Sequence, residues 1–352
     1  MRISTTLTMV RPMILMLLAV SLDAFSAVEA DPLFASNEPL AITVTGPIRS
    51  ISRDNTEFPE YQPGTLGFSQ EGEPRTVDIR IRPRGKSRRE LCAFPPLRLN
   101  LPKKAVADTV FAEQDKLKLV THCQSGTRGH QYLLREYLAY RILNLLTPNS
   151  FKVRLVNIEY VDNSRDGKSM THPGFFIEHK SRLAKRRDAK LAEFDRLQPD
   201  QLDPAATSLA ELFQYLISNT DFSFVAGPVN DLCCHNSVVL HANEAGRVLP
   251  VPYDFDVSGV VDAPYAVPAL DSQRSVRDRV FRGFCRPEPY LADAVAKAQA
   301  VRKEVFSLID VVPGLNDRNR QRVVAFVEDF YKTLDDERRF NKEIGGACRK
   351  LG

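Results

Sequence analysis

The chain has 352 residues, 43% of them apolar and 26% charged, with 17 Gly and 23 Pro. This is the ordinary composition of a globular protein and excludes collagen-like, low-complexity and wholly disordered chains. Lys and Arg number 48 against 44 Asp and Glu, and a net charge of +4 is too small to argue for an electrostatic nucleic-acid binder.

Residues 1–30 read as a secretory signal. Arg2 and Arg11 precede an apolar stretch from Met13 to Leu22, and small residues then lead to Val28-Glu29-Ala30, after which cleavage is expected. The stretch is too short to cross a bilayer, and no later segment approaches the ~20 apolar residues that crossing requires. The mature chain is expected to be exported, periplasmic or extracellular, without a stable membrane span; an uncleaved anchor is the alternative. Six cysteines lie past the signal: Cys92, Cys123, Cys233, Cys234, Cys285 and Cys348. An even count in an oxidising compartment points to disulfides, with the pairing open. Neighbouring Cys233 and Cys234 are expected to reach different partners, because bonding adjacent residues strains the peptide between them. A zinc site from His122, Cys123, Cys233, Cys234 and His235 is a weaker alternative, since the paired cysteine spacing of structural zinc sites is missing.

In chain order, strands are predicted at Leu40 to Thr45 and Val77 to Arg82, the second placing Val77, Ile79 and Ile81 on one buried face. A cation-dense turn follows, Pro83-Arg84-Gly85-Lys86-Ser87-Arg88-Arg89. Lys116 to Val120 reads as a strand, and Gln131 to Leu146 as a helix with Leu134, Leu138, Ile142 and Leu145 at helical spacing, stopped by Pro148. Phe151 to Tyr160 and Phe175 to Glu178 read as two more strands. The basic stretch Lys180 to Lys190 suits a solvated helix face. Ser208-Leu209-Ala210-Glu211 has the form of a capping box opening an amphipathic helix. Beyond it come the apolar runs at 237–240 and 248–253, then helical stretches near Leu291 to Ile309 and Asp317 to Tyr331.

The segment with most chemistry is Tyr253-Asp254-Phe255-Asp256. On an extended backbone Asp254 and Asp256 point to one side, and two converging carboxylates suit a hard divalent cation such as Mg2+ or Mn2+. A polar turn capped by the two aspartates is the plainer reading. Upstream stand Asn219-Thr220-Asp221 and Asp231-Leu232-Cys233-Cys234-His235-Asn236. A loop aspartate, a later asparagine, a hairpin and a terminal aspartate follow the order used by kinase-fold phosphotransferases. His235 could orient a ligand or act as a base, or simply pack in its loop.

From Val77 to Gly259 the chain resembles the CotH family of secreted, atypical kinase-fold proteins. The resemblance implies an α+β, two-lobe fold: a β-rich N-terminal lobe with one long helix over 31–180, and a mainly helical C-terminal lobe over 181–352 carrying the metal loop. It implies that Arg84, Gly85, Lys86 and Ser87 cradle phosphate, with Lys86 standing where the family has Asn. It implies that Lys118, or failing it Lys116, is the strand lysine paired with Glu136 on the helix, and that the backbone at Glu178 meets a nucleotide base. Asp221 looks like the catalytic aspartate, with Asp231 competing because its interval to Asn236 is that of ordinary protein kinases. Asn236, Asp254 and Asp256 look like metal ligands, and a disulfide from the 233–234 pair to Cys285 would steady the loop. The implied function is metal-dependent transfer of phosphate from ATP or another phosphate donor to a hydroxyl on an unknown protein or small acceptor. Two alternatives are a non-catalytic envelope protein binding a ligand, and a metal-dependent phosphoester hydrolase.

Overall fold

The computed structural model describes Met1 and residues 31–124, 126–241 and 246–350, so the signal-like segment lies outside the described residues. Seven strands close into a barrel in the order β1-β2-β3-β4-β5-β7-β6. β1 (Leu40–Gly46) is followed by the short helix α1 (Ile48–Ser52), β2 (Gln62–Gln70), β3 (Glu73–Pro83), α2 (Ser87–Leu91), β4 (Leu97–Asn100) and β5 (Lys116–Val120). The long helix α3 (Gly126–Leu146) then leads to the hairpin β6 (Val153–Asp162) and β7 (Lys168–Ile177). All ladders are antiparallel except the closing one, where β1 runs parallel to β6 with Val44 opposite Tyr160.

Strand alternation divides these residues between two cores. Val77, Ile79 and Ile81 point into the barrel with Leu117, Leu119, Val156, Ile158 and Phe176, as the period-two pattern of β3 requires. Val120, Val153, Leu155, Phe175 and Ile177 point outward and meet Tyr137, Leu138 and Ile142 of α3. Lys118, between two inward leucines, is therefore carried on the outside of the barrel, where its ammonium lies 5.0 Å from the Tyr253 ring centroid.

After the barrel come α4 (Lys180–Arg186), β8 (Lys190–Ala192), α5 (Pro204–Leu216), β9 (Ser237–His241), β10 (Val248–Pro252), α6 (Tyr290–Ala300), α7 (Arg302–Val311) and α8 (Asp317–Asp335). The strands β10-β9-β8 form a small sheet of their own. α5 begins four residues before the expected capping box: Asp203 accepts from the Ala206 N–H at 2.8 Å with Pro204 as the first helical residue, leaving Ser208 in the interior.

The expected two-lobe, kinase-like architecture is corrected by this arrangement. The strands close on themselves, and the second half does not form a helical lobe, since between 217 and 289 the described residues hold only β9, β10 and loops. One apolar cluster runs from the outer face of the barrel through α3, α5 and β10 to α6, α7 and α8. Hydrophobic burial thus welds the helices to the barrel wall.

Three disulfides are present, Cys92–Cys123, Cys233–Cys234 and Cys285–Cys348, and they are consistent with a secreted protein. The expectation that the adjacent cysteines reach different partners is corrected: they bond each other across a cis peptide, whose Cα atoms are 3.0 Å apart. The zinc alternative falls with it, because all its cysteines are consumed. Cys285–Cys348 spans 63 residues and fastens the chain end beside Phe284, a closure worth about 4 kcal/mol in the chain-entropy account. No described helix is long and apolar enough to cross a membrane.

Three histidines distant in sequence meet beside the barrel. His122 stacks on His172 at 3.7 Å between centroids and on Phe94 at 4.9 Å, while His130 Nε2 lies 2.9 Å from His172 Nδ1. Burial first, and then its two histidine neighbours, lower the His122 pKa to about 3, and its buried Nδ1 has no hydrogen-bond partner among the described residues. The unfolded chain therefore takes up a proton at this ring near pH 6.5 that the folded chain refuses, so His122 costs stability as pH falls. Replacing it by Phe keeps the stack and removes the titration. Relative to wild type, His122→Phe should gain about 1.4 kcal/mol for each pH unit below about 6.5. Urea unfolding of both proteins at pH 8, 6 and 5 measures this, and parallel pH dependences would refute it.

Candidate functional site

The turn after β3 begins with Arg84, whose N–H donates to Pro96 O at 2.8 Å, and Gly85 follows at φ +82°. Arg88, the second residue of α2, is buried and aimed at α3. It forks onto both oxygens of Glu136 at 2.9 and 3.2 Å, and its Nη2 also reaches Asp254 Oδ1 at 2.9 Å and Asp256 Oδ1 at 2.8 Å. One guanidinium thus gathers three carboxylates whose oxygens lie within 4.8 Å of one another. The two aspartates lie past the end of β10, where the backbone is not the extended one expected from the sequence, and both turn toward Arg88. Phe255 between them is fully buried, packed on Tyr140 and Phe213. Asp254 itself sits at φ +64°, with its N–H donating to Tyr140 Oη at 2.8 Å.

Three anions sharing one cation have uneven pKa values. Burial, opposed by Arg88 and reinforced by Asp256 and Asp254, raises Glu136 to about 7. Burial likewise raises Asp256, against the pull of Arg88. Asp254 goes the other way: burial opposes ionisation, but Arg88, Arg84, Lys118 and His235 together hold its pKa low. Lys118 is lowered to about 7, by burial first and then by Arg84, with Asp254 pulling it back up. The Asp254 side chain is 39% exposed, so it is the member of the carboxylate group that faces outward.

A second unit stands near Asp254. His235 Nε2 lies 2.7 Å from Asp221 Oδ1, and Asn236 Nδ2 donates to Asp221 O at 2.7 Å and Oδ2 at 3.0 Å. Asp221 is held in turn by its Asn219 Oδ1 contact at 3.0 Å. The Asn236 carbonyl accepts from Tyr253 N at 2.9 Å at the open end of the β9–β10 hairpin, which places Asn236 beside Asp254. The Asp221 hydrogen bond raises the His235 pKa, and Asp254 adds to it. Both ring and carboxylate remain accessible, at 34% and 39% side-chain exposure.

The structure brings together Arg84, Lys118, Glu136, Asp221, His235, Asn236, Asp254 and Asp256. It separates others. The resemblance implied a Lys118–Glu136 pair, but Glu136 is engaged by Arg88, and Lys118 makes no carboxylate ion pair among the described residues. Lys86 and Ser87 are exposed and their side chains make no hydrogen bond among the described residues. Glu178 is buried as a brace, accepting from Lys152 N at 3.0 Å and Arg186 at 2.9 Å, while its own N–H donates to Lys152 O. Asp231 is exposed in the loop before the vicinal disulfide and joins neither unit, and Cys285 bonds Cys348. Arg88 and Tyr140 escaped the sequence reading, although Arg88 lies in the cation-dense turn that the reading singled out.

The donor set suits a hard cation only in part. Arg88 already takes both oxygens of Glu136 and one each of Asp254 and Asp256. No hydrogen bond to Asp254 Oδ2 or to the Asn236 amide oxygen occurs among the described residues, and these two oxygens are the ones that would hold a divalent ion. Comparison of the chain with family models and with curated proteins found no match.

Proposed function

We propose that this is an exported phosphotransferase, using a nucleotide or another phosphate donor and delivering the phosphoryl group to a hydroxyl. The observation that carries the reading is that the charges of Arg84, Lys118 and His235 all act on Asp254, while Asp221 holds the His235 ring. The proposal rests on this site and keeps from the CotH resemblance only the order of its motifs.

Each residue has a physical role in such a reaction. Arg84 and Lys118 bind donor phosphates in a partly desolvated setting, where charge interactions are stronger than in water. Asp221 fixes the His235 ring and stabilises its protonated form, so His235 takes the proton of the acceptor hydroxyl. Asp254 and Asn236 would hold Mg2+ or Mn2+, which supplies neutralisation of phosphate charge. Arg88 keeps the carboxylates oriented.

One observation favours a second reading. Arg88 fills the carboxylate triad, which suits a non-catalytic protein whose site binds an anionic ligand without turnover. Calorimetry with ATP and Mn2+ separates the proposals in stages. Wild type is expected to bind and Asp254→Asn to bind about tenfold or more weakly, the loss of one charged contact. Equal binding by both, or by neither, overturns the site. Transfer of label from γ-labelled ATP to protein that is lost in His235→Ala establishes the transferase, and binding without transfer establishes the ligand binder. Phosphate release without an acceptor would instead revive a hydrolase.

A further inference from the structure

A second charged cavity lies where the beginnings of α3 and α8 face each other, with a volume of about 520 Å³. Arg128, Arg135, Arg318 and Arg322 line it, together with neutral polar side chains, and no Asp or Glu is among the lining residues. On α3 the positions 128, 131, 132 and 135 repeat at i, i+3, i+4 and i+7, which is one helical face; on α8 Arg318 and Arg322 are one turn apart on another.

The arrangement is rigid where it needs to be. Gln131, 5% exposed, donates from Nε2 to Gly314 O at 2.9 Å and accepts from Asn316 N at 3.0 Å, tying the face of α3 to the chain that enters α8. Arg135 is 3% exposed, and its Cζ lies 4.9 Å over the Tyr132 ring. Its Nε donates weakly to Gln131 O at 3.4 Å, and among the described residues neither Nη has a hydrogen-bond partner or a carboxylate within ion-pair distance. The carboxylate whose charge it feels most is Asp262, which lies 3.8 Å from Arg277. A buried guanidinium without a counter-ion is costly, and here burial first, with Arg322 and Arg277 adding to it, lowers its pKa to about 10. Arg128, Arg318 and Arg322 are exposed and form no ion pair among the described residues.

We propose that this cavity binds a small anion carrying two or more phosphoryl groups. Four guanidinium groups around one space repel each other, and among the described residues no carboxylate pairs with them; Asp262, itself beside Arg277, offsets only part of the charge on Arg135. A phosphoryl group matches the fork of each guanidinium. The positive ends of α3 and α8 act in the same direction. The volume is that of a small-molecule site, too small for a protein partner to bury a standard interface in it.

The site is independent of the one at Asp254, and the test keeps them apart by leaving out metal. Tripolyphosphate is titrated into the full chain in EDTA at low salt, with monovalent phosphate and sulfate as comparison probes. Wild type should bind tripolyphosphate at least tenfold more tightly than sulfate, with affinity falling as salt is added. Arg318→Ala with Arg322→Ala changes two exposed residues, and should weaken binding about a hundredfold, a tenfold step for each charged contact. The exposed Lys168→Ala and Lys190→Ala should leave it unchanged. Equal affinity in wild type and the double variant, which would place the anion at Arg84 and Lys118 instead, overturns the proposal, as does a wild type that prefers sulfate.

Discussion

Arg88→Ala should be the most destabilising single substitution in the site, costing about 3–5 kcal/mol at pH 8, the range for breaking a buried ion pair by removing one partner. Arg88 and Glu136 have side chains only 8% and 4% exposed, and Asp256 only 9%, so water cannot replace the guanidinium. The three oxygens within 4.8 Å of one another would be left as mutually repelling anions. The sign of the pH dependence follows from the raised carboxyls. Glu136 is already at about 7 beside Arg88, and without that cation it and Asp256 rise further. The folded variant then holds protons that the unfolded chain, with ordinary carboxyls near 4, has released. Stability therefore falls as pH rises through the folded values, and Arg88→Ala should recover much of its loss at pH 5. Arg88→Lys should fall between, because one ammonium cannot fork onto Glu136 while reaching both aspartates. Urea unfolding at pH 5 and pH 8 provides the measurement, and a loss that is small or the same at both pH values would show that the carboxylates do not depend on Arg88. Adding Mg2+ to Arg88→Ala at pH 8 supplies a further sign: rescue means that a hard cation can take the place of the guanidinium.

What the chain reveals locally and what only folding reveals differ by the range of the contacts involved. The inward face of β3 was legible, because Val77, Ile79 and Ile81 alternate within one strand. The convergence of Asp254 and Asp256 was legible too, although the extended backbone expected there gives way to φ +64° at Asp254. Barrel closure was not, since residues 40–46 and 156–162 pair across more than a hundred positions, and nothing in either segment names the other. The kinase-like expectation failed at this point: motif order is compatible with several ways of closing the strands, and the parallel β1–β6 ladder decides between them. Arg88 was hidden among four cations between 84 and 89, and only the docking of α2 against α3 buries this one. The histidines at 122, 130 and 172 come from a loop, a helix and a strand and so share no spacing. The arginine cavity was half legible, with Arg318 and Arg322 on one helical face, but its other wall belongs to α3.

The pH profile of the proposed transfer should be a narrow bell centred close to neutrality, with each limb assigned to one side chain. His235 must be unprotonated to take a proton from the acceptor, and its pKa is raised by the Asp221 hydrogen bond, so activity should rise on the acid side above the ordinary histidine value near 6.5. Lys118 must be protonated to hold phosphate, and with its pKa lowered to about 7 it loses that charge as pH rises, which closes the alkaline side. The two limbs overlap because burial and Arg84 push the lysine down while Asp221 and Asp254 push the histidine up. Two substitutions should move the limbs independently. Asp221→Asn removes the carboxylate that raises His235, so the acid limb should shift to lower pH. Activity should also fall by about 10² to 10⁴, the usual contribution of an oriented base. Lys118→Arg keeps its charge throughout and should extend the alkaline limb by more than one pH unit, with some loss of rate from the altered geometry. The histidine shift can be read without turnover, by following the His235 ring in NMR titrations of wild type and Asp221→Asn. A ring that titrates identically in both would remove Asp221 from the mechanism, and an alkaline limb unmoved in Lys118→Arg would remove Lys118.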